Sequence, residues 1–319
     1  MRKLGGTGLD VSPLCFGGNV FGWTVDEPTS FSLLDAWLGA GFNFVDTADT
    51  YSRWVPGHSG GESETVIGKW LHVRGGRDRV VLATKVGNDM GGGRIGLRAP
   101  RIREAVEESL RRLKTDYIDL YQAHRDDGNT PLEETLEAFA GLVQAGKVRA
   151  IGASNYSAAR LREALRASER MGGPRFETLQ PLYNLYDRDT FERELGPLCA
   201  EQGIAVINYY ALAAGFLTGK YRNADDAGKS LRGKGAVDKY LNERGLAILE
   251  ALDEVAERHG CTPGQAAIAW LLTRPTVTSP IASATTLPQL EELVRATQLQ
   301  LDAQAVGSLD AASTLRSLP

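Results

Sequence analysis

The sequence predicts an α/β fold in which eight parallel strands alternate with helices. Short apolar segments rich in Val, Ile and aromatic residues recur about every 25 to 45 residues, and there are eight of them. The segments between them have helical spacing; in one of them Ile102, Val106, Leu110 and Leu113 form an apolar stripe. No low-complexity tract or long linker divides the 319 residues. Strands that alternate with helices pair in parallel through right-handed crossovers.

The predicted elements follow one another along the whole chain. The eight strands are predicted at residues 12–18, 42–48, 80–86, 117–124, 148–154, 178–184, 205–212 and 278–284. The helices are predicted at 30–41, 62–73, 101–114, 132–145, 158–171, 190–202, 242–259 and 263–273. Strands that are continuously apolar are buried on both faces, which favours a closed (β/α)8 TIM barrel with residues 1–319 as one domain. An open doubly wound sheet is the alternative that this pattern leaves.

Composition excludes several classes of protein. With 42% hydrophobic and 24% charged residues, the chain is typical of globular proteins and not of disordered, collagenous or coiled-coil ones. A net charge of −4 gives no clustered positive field, so we expect neither nucleic acid nor a membrane as partner. Cys15, Cys199 and Cys261 are widely spaced and predict neither disulfides nor a thiolate metal site. The N-terminus lacks the apolar segment of a secretory signal, so a cytoplasmic location is expected; the pattern predicts no oligomeric state.

Ionisable residues interrupt the predicted strands near their C-terminal ends. Asp46, Lys85 and His124 end neighbouring strands, and Tyr51 follows Asp46 by five residues. In a parallel barrel these strand ends meet at one mouth, where the chemistry of such folds lies. Each residue alone is better explained as half of a structural ion pair or as a core histidine. Together they indicate a functional site, because burying several charges is costly unless they are paired or used.

The four residue types predict a pocket that gives a proton to a carbonyl oxygen. A tyrosine hydroxyl, with an ordinary pKa of about 10, is a poor acid at neutral pH. We expect the Lys85 ammonium to stabilise the phenolate and lower the pKa of Tyr51, while Asp46 keeps Lys85 charged. His124 is expected to orient the carbonyl or to assist the proton transfer. An aldolase or isomerase with Lys85 as Schiff-base nucleophile is disfavoured, because Asp46 would keep that lysine protonated.

Ordered motifs along the chain resemble those of the aldo-keto reductase superfamily. They are GFNFVDTADTY, the lysine in ATKVG, SLRRLKTDYIDLYQAH, GKVRAIGASNY, the glutamine in TLQPLYN, and GFLTGKY, and the match runs from LGGTGLDVSPLCFGG to about Asp310. The resemblance implies a TIM barrel with a short N-terminal β-hairpin over its base. It also implies reduction of small aldehydes or ketones by NADPH without a metal, with Asp46, Tyr51, Lys85 and His124 as the catalytic residues.

The resemblance further implies a set of cofactor-binding residues. Ser154, Asn155 and Gln180 would hold the nicotinamide carboxamide, and Tyr209 would stack on its ring. The segment 211–220 would wrap the pyrophosphate through backbone amides, with Lys220 answering its charge. The loop after the last strand would surround the 2′-phosphate and adenine. The full set is Gly18, Asn19, Ser154, Asn155, Gln180, Tyr209, Ala211, Leu212, Ala213, Gly215, Leu217, Lys220, Arg232, Ser283, Thr285, Gln289 and Glu292.

Two departures from the family pattern affect the cofactor. Many members have arginine where Gln289 stands and asparagine where Leu293 stands, so the loop 283–293 offers no cation to a 2′-phosphate. A branch resembling the potassium-channel β subunits also has glutamine there and uses an arginine from the preceding long loop, which makes Arg232 the candidate. We therefore expect NADPH to be the cofactor, with NADH as the alternative. In addition, Tyr210, Ala211 and Leu212 replace the usual Ser-Pro-Leu after Tyr209.

The channel-associated branch supplies a rival function, an NADPH-binding regulatory subunit with slow turnover.

The segment GGGRIG at 91–96 matches the dinucleotide-binding motif G-x-G-x-x-G. It is interpreted as a flexible loop, because residues 97–100 separate it from the next helix. Substrate specificity is expected to lie in loops, with Trp23, Trp54 and the segment 91–96 as candidates.

Overall fold

The computed structural model describes residues 1–314, and eight parallel strands in them form one curled sheet. An antiparallel hairpin, β1 (Arg2–Lys3) and β2 (Asp10–Val11), precedes the sheet. The sheet strands are β3 (Cys15–Gly17), β4 (Phe44–Asp46), β5 (Val81–Val86), β6 (Ile118–Ala123), β7 (Val148–Ser154), β8 (Phe176–Gln180), β9 (Ala205–Val206) and β10 (Ile281–Ala282). The predicted eight-stranded parallel sheet and the hairpin are thus confirmed.

The strands lie side by side in sequence order from β3 to β9, and β10 pairs with β3. A doubly wound sheet reverses its strand order at a switch point, so the open alternative is excluded. The edges β9 and β10 are joined by backbone hydrogen bonds from Thr278 to Val206 (2.8 Å) and from Ile281 to Asn208 (2.8 Å). The last two strands are much shorter than predicted. β8 ends before Pro181, which has no N–H to donate to a neighbouring strand.

Helices connect successive strands and cover the outside of the sheet. They are α1 (Glu27–Gly39), α2 (Glu62–Arg74), α3 (Ala99–Leu113), α4 (Leu132–Gln144), α5 (Ala158–Met171), α6 (Gly196–Gln202), α7 (Gly233–Tyr240), α8 (Glu243–His259), α9 (Pro263–Leu272), α10 (Leu287–Ala296) and α11 (Ala303–Ser313). The segment predicted as a helix at 190–202 begins as a π-helical turn, Phe191–Leu195, before α6. The sequence analysis missed α7, α10 and α11.

Two apolar clusters hold these layers together. The larger cluster lies between the strands and the helices and includes Trp37, Trp70 and Trp270, each at most 1% exposed. The smaller one lies inside the curl of the sheet, where Leu4 and Val11 of the hairpin segment join strand residues such as Phe44. Each large apolar side chain buried in this way contributes roughly 1.5–3 kcal/mol to the stability of the folded state. The hairpin therefore covers one end of the sheet interior, and the C-terminal strand ends remain at the other.

Two further features bear on the expectations from sequence. Cys15, Cys199 and Cys261 are all free thiols. Within the described part of the chain, no helix has both the length and the apolar character needed to cross a membrane.

Candidate active site

The carboxyl ends of β4, β5 and β6 bring three ionisable side chains together. Asp46 is the last residue of β4, Lys85 lies one residue before the end of β5, and His124 directly follows β6. Strand pairing sets Lys85 beside Gln122. The loop after β4 turns back over the strand ends, with the Tyr51 N–H donating to the carbonyl of Ala48 at 3.2 Å. The structure therefore places all four predicted catalytic residues in one group.

Lys85 is at the centre of this group. Its fully buried ammonium donates to Asp46 Oδ2 at 2.6 Å, to the Thr47 carbonyl at 2.7 Å and to the Tyr51 hydroxyl oxygen at 3.0 Å. An ammonium has three N–H donors, so these contacts use all of them. The Tyr51 hydroxyl in turn lies 3.5 Å from Asp46 Oδ2. The phenol oxygen is thus held between a carboxylate and an ammonium.

The predicted lowering of the pKa of Tyr51 is wrong for this structure. Burial has the largest influence and raises the pKa of Tyr51 to about 12, because the opposing pull of the Lys85 charge is smaller. The charge of Lys85 nevertheless lowers the pKa of Tyr51, as predicted. Burial lowers the pKa of Lys85, but Asp46 and Tyr51 outweigh it and the net pKa is raised. At neutral pH Tyr51 therefore carries its proton and Lys85 its charge.

His124 lies edge-on to Tyr51, with ring centroids 6.0 Å apart. Burial, followed by the charges of Lys85 and Arg125, holds the pKa of His124 well below its usual range. Its Nδ1 has no hydrogen-bond partner among residues 1–314. A neutral imidazole donates one N–H and accepts at the other nitrogen. His124 is therefore suited to orienting a carbonyl oxygen rather than to carrying a positive charge.

Two glutamines complete the hydrogen bonding of Asp46. Gln122 and Gln180 donate their amide nitrogens to Asp46 Oδ1 at 3.2 and 3.0 Å. The Gln180 Nε2 is thus directed to the buried carboxylate, while Gln180 also lines the cleft, and its contact with a nicotinamide stays a prediction. The sequence analysis missed Gln122 altogether. Its signal was available, because alternation along β6 puts Gln122 on the same face as His124.

A cleft of about 1120 Å³ crosses the strand ends from Tyr51 and His124 to the first turn of α10. Ligand pockets usually measure roughly 300–1,000 Å³, so this cleft lies at the large end of that range. The predicted residues that line it are Asn19, Asp46, Tyr51, His124, Ser154, Asn155, Gln180, Tyr209, Ala211, Leu212, Gly215, Lys220, Arg232, Ser283, Thr285, Gln289 and Glu292. The others, Gly18, Lys85, Ala213 and Leu217, do not line it.

The side chains of Ala213 and Leu217 are fully buried, so any contact with a cofactor would have to come from their backbone, and that role stays a prediction. Their backbone N–H groups donate to the carbonyls of Tyr210 (2.7 Å) and Leu212 (3.2 Å). These amides therefore stabilise the loop itself.

Gly18 lies beside the cleft without lining it, and its predicted contact with the cofactor stays a prediction. A Cβ at this position would meet the Asp46 carbonyl oxygen at 3.0 Å and Ser63 Oγ at 3.1 Å. The Ser63 hydroxyl donates to the Gly18 carbonyl at 2.7 Å. Gly18 thus permits the close approach of the β3 end to β4 and α2.

Asn155 and Tyr209 form a hydrogen-bonded pair on the floor of the cleft. The Tyr209 hydroxyl donates to Asn155 Oδ1 at 2.8 Å. Asn155 Nδ2 donates to Ser154 Oγ at 3.0 Å and to the His124 carbonyl at 2.9 Å. Asn155 also has a left-handed backbone (φ 56°), a conformation that asparagine tolerates better than most residues. These contacts connect the predicted carboxamide site directly to His124.

Arg232 lies nearer to the tyrosine end than the sequence analysis placed it. Its guanidinium stacks over the Trp23 ring, 5.0 Å from the centroid. In the amide orientation that satisfies its neighbours, Asn19 accepts from Arg232 Nη2 at 2.6 Å and donates to Ser283 Oγ at 2.7 Å. Arg232 therefore connects to the predicted 2′-phosphate loop through Asn19, and its recorded contacts do not reach Thr285 or Gln289 directly.

The other end of the cleft carries neutral donors. Gln289 Oε1 accepts from the N–H (2.8 Å) and hydroxyl (3.0 Å) of Thr285. Gln289 is among the residues that line the cleft. In the same part of the chain, no cluster of three His, Cys, Asp or Glu residues could hold a metal ion.

Aromatic side chains form the rim of the cleft beside Tyr51. Trp23 and Trp54 pack edge to face with ring centroids 5.3 Å apart, and Trp54 is 50% exposed. Tyr210 is 47% exposed and has a left-handed backbone, φ 56°. The predicted specificity residues Trp23 and Trp54 thus line the cleft, whereas the segment 91–96 does not.

Comparison with known proteins gives one consistent family. The model of the Aldo/keto reductase family matches residues 13–314. An uncharacterized oxidoreductase of Bacillus subtilis, YrpG, is 36% identical over 96% of this chain and 94% of its own length. A probable voltage-gated potassium channel subunit beta of Arabidopsis thaliana is 34% identical over 92% and 90%. Norsolorinic acid reductase of Emericella nidulans is 34% identical over 95% of this chain and 78% of that protein.

Proposed function

Because the chain belongs to the aldo/keto reductase family, we propose that it is a single-domain (β/α)8 barrel enzyme that reduces aldehyde or ketone carbonyls with NADPH. The observation that carries this proposal is the contact of the Tyr51 hydroxyl with the buried Lys85 ammonium, 3.0 Å away, at the wall of a large cleft. The hydrogen bonds that join β9 to β10 support closure of the sheet into a barrel.

Tyr51 is the proton donor in this proposal. With a pKa of about 12, its hydroxyl is protonated at neutral pH and donates a hydrogen bond to a carbonyl oxygen in the cleft. As negative charge develops on that oxygen, the proton moves from Tyr51 to it, and Lys85 stabilises the phenolate left behind. Asp46 keeps Lys85 charged and in place through the 2.6 Å contact. Neutral His124 orients the carbonyl oxygen by hydrogen bonding.

The residues of the cleft fit a dinucleotide. Amide and hydroxyl groups of Ser154 and Asn155 lie beside the ring of Tyr209, and cations are available at Lys220 and Arg232. Bound at these residues, reduced nicotinamide supplies the hydride that the carbonyl carbon accepts. Arg232, which is connected to Ser283 through Asn19, and Gln289 in the lining of the cleft support a preference for NADPH over NADH. Tyr209, held by Asn155 at 2.8 Å, would stack on the nicotinamide ring and help to exclude water from it.

The test is a panel of aldehydes and ketones assayed by loss of reduced-nicotinamide absorbance, with NADPH and NADH in separate reactions. The proposal expects steady-state turnover with several carbonyls and a lower KM for NADPH. Tight NADPH binding with at most one slow turnover would instead support a cofactor-binding regulatory subunit; the plant relative is named as a probable channel subunit. Borohydride trapping of a carbonyl on Lys85 would contradict both readings and support Schiff-base chemistry.

A further inference from the structure

A second set of buried charges lies directly behind the loop that carries Tyr51. Asp49, two residues before Tyr51, is fully buried, and its Oδ2 accepts from Arg101 Nη2 at 3.3 Å. Arg101 lies in the first turn of α3 and is only 7% exposed. The backbone N–H of Asp49 donates to the Lys85 carbonyl at 3.3 Å. Asp49 thus connects the Tyr51 loop to β5 on one side and to α3 on the other.

The Asp49–Arg101 contact is not well explained as a stabilising feature. Asp49 Oδ1 and Arg101 Nε are both buried without a hydrogen-bond partner among the described residues. Desolvation of such incompletely paired charges can exceed their attraction, and apolar residues of similar volume often stabilise a protein more. The position of the pair beside Tyr51 therefore calls for another explanation.

A neighbouring ion pair provides a natural comparison. Arg112 Nε donates to Glu64 Oε2 at 2.7 Å, and Thr84 donates to Glu64 Oε1 at 2.5 Å. Glu64 is fully buried, as Asp49 is, and it also pairs with an arginine of α3. This pair joins α2, α3 and β5 but includes no residue of the loop 47–51. Loss of either pair removes comparable buried charge, yet only one of them contacts the Tyr51 loop.

We propose that Asp49 and Arg101 are positioning residues that fix the loop 47–51 and thereby hold the Tyr51 hydroxyl against Lys85. The proposal rests on the proposed function, because it assigns the pair to the proton-transfer step. The loop between Asp46 and Tyr51 is short, so a shift of Asp49 moves the phenol oxygen relative to the ammonium. A displacement of ~1 Å at a reacting group can lower a rate on the order of 10²-fold.

The charge of Asp49 makes the positioning dependent on pH. Burial, and next the charge of Glu64, raise the pKa of Asp49 to about 7 against the pull of Arg101 and Arg112. The other ionisable groups around it are Glu104 and Glu108 of α3, which contact Arg101, and Tyr121 of β6. As the pH falls through about 7, Asp49 loses its charge and the attraction to Arg101 weakens. We expect kcat to fall over the same interval.

The experiment compares Asp49→Asn, Arg101→Gln and their combination with the matched controls Glu64→Gln and Arg112→Gln. In Asp49→Asn we expect kcat to fall by about 10- to 100-fold, with the Kd for NADPH within about twofold of wild type. The decrease of kcat towards low pH disappears in this variant. The double variant is no slower than the slower single one, because the two residues act together. The controls lower Tm but leave kcat within about twofold when all variants are compared at a pH of about 9, where Asp49 is charged although Glu64 and Arg112 influence its pKa.

A second readout separates this proposal from the proposed function. The ¹³Cζ NMR signal of Tyr51, assigned by its absence in Tyr51→Phe, reports the surroundings of the phenol whether or not the protein turns over. Asp49→Asn and Arg101→Gln shift it, whereas Glu64→Gln leaves it in place. If Asp49→Asn does not fold, Asp49→Glu and Arg101→Lys give the same comparison. An unmoved signal, an unchanged pH profile, or an equal loss of kcat in the controls would overturn the proposal.

Discussion

Replacement of Lys85 by methionine removes the group on which the proposed proton transfer depends. The change deletes a fully buried ammonium together with its contacts to Asp46, Thr47 and Tyr51, while the methionine fills a similar volume. Asp46 is then a buried carboxylate without a counter-ion, although Gln122 and Gln180 still donate to it. Removal of one partner of a buried pair costs about 3–5 kcal/mol, and the two remaining amides favour the lower end of that range.

The expected losses of thermal stability and of activity both follow from these contacts. A loss of 1 kcal/mol lowers Tm by roughly 2–4 °C in chains of about 150–250 residues and by less in longer ones, so a loss of ~3 kcal/mol lowers Tm here by at most about 6–12 °C. Without the ammonium the developing phenolate is uncompensated, so kcat is expected to fall by about 10²-fold or more. Since Lys85 lowers the pKa of Tyr51, its loss also raises the pH at which any residual proton transfer titrates.

Calorimetry and steady-state kinetics over a range of pH measure these changes in one variant. Lys220→Met is the matched control, because Lys220 is an exposed cation of the same cleft that makes no contact with the Tyr51 group. It is expected to raise the KM for the cofactor without lowering Tm. High activity with an unchanged pH profile in Lys85→Met would refute the reasoning and leave Lys85 a purely structural residue.

Three further changes test other parts of the site. Arg232→Ala is expected to weaken the binding of NADPH by about tenfold to a hundredfold and that of NADH hardly at all, because a charge-assisted hydrogen bond contributes roughly 1.5–3 kcal/mol. Fluorescence titration measures both affinities, and equal weakening for the two cofactors would contradict this role. Tyr210→Ser, which restores the common family residue, should lower kcat/KM for aromatic aldehydes about two- to tenfold and leave short aliphatic aldehydes unchanged; equal effects on both classes would count against the aromatic rim. Folding raises the pKa of Asp49 from its value near 4 in the unfolded chain to about 7. The protonated Asp49 therefore stabilises the fold by ~4 kcal/mol below about pH 4, and this stabilisation is lost as the pH rises through about 7. Asp49→Asn should therefore have a flatter dependence of unfolding free energy on pH in denaturant titrations, and an unaltered dependence would show that Asp49 is not the titrating group.

The sequence determined much of the fold because its signals are local. Alternating apolar segments identified all eight sheet strands, and polar residues at their ends identified Asp46, Lys85 and His124 as neighbours. The helix α10 was missed because its segment was interpreted only as a cofactor loop, although Leu290 and Leu293 of that segment are buried on one face. The short strands β9 and β10 depend on pairing across the sheet, which local propensity does not encode.

The details of the site depend on contacts between distant parts of the chain. Arg101 lies 52 residues after Asp49, and no local pattern pairs the two. The pKa of Tyr51 depends on how completely the folded loop excludes water, so the sequence analysis obtained the direction of the Lys85 effect but not the net result. The Gln180 amide nitrogen contacts the Asp46 carboxylate 134 residues earlier in the chain, and no local pattern predicts that contact.

The most direct test of the central claim, that Tyr51 supplies the proton in carbonyl reduction, is a single-turnover measurement on Tyr51→Phe with NADPH bound. Phenylalanine keeps the ring that packs against His124 and Trp54 and removes only the hydroxyl. We predict reduction slower by about 10²-fold or more, with the Kd for NADPH within about twofold of wild type. Retention of more than about a tenth of the wild-type rate would contradict the assignment, because general acid catalysis contributes at least that much.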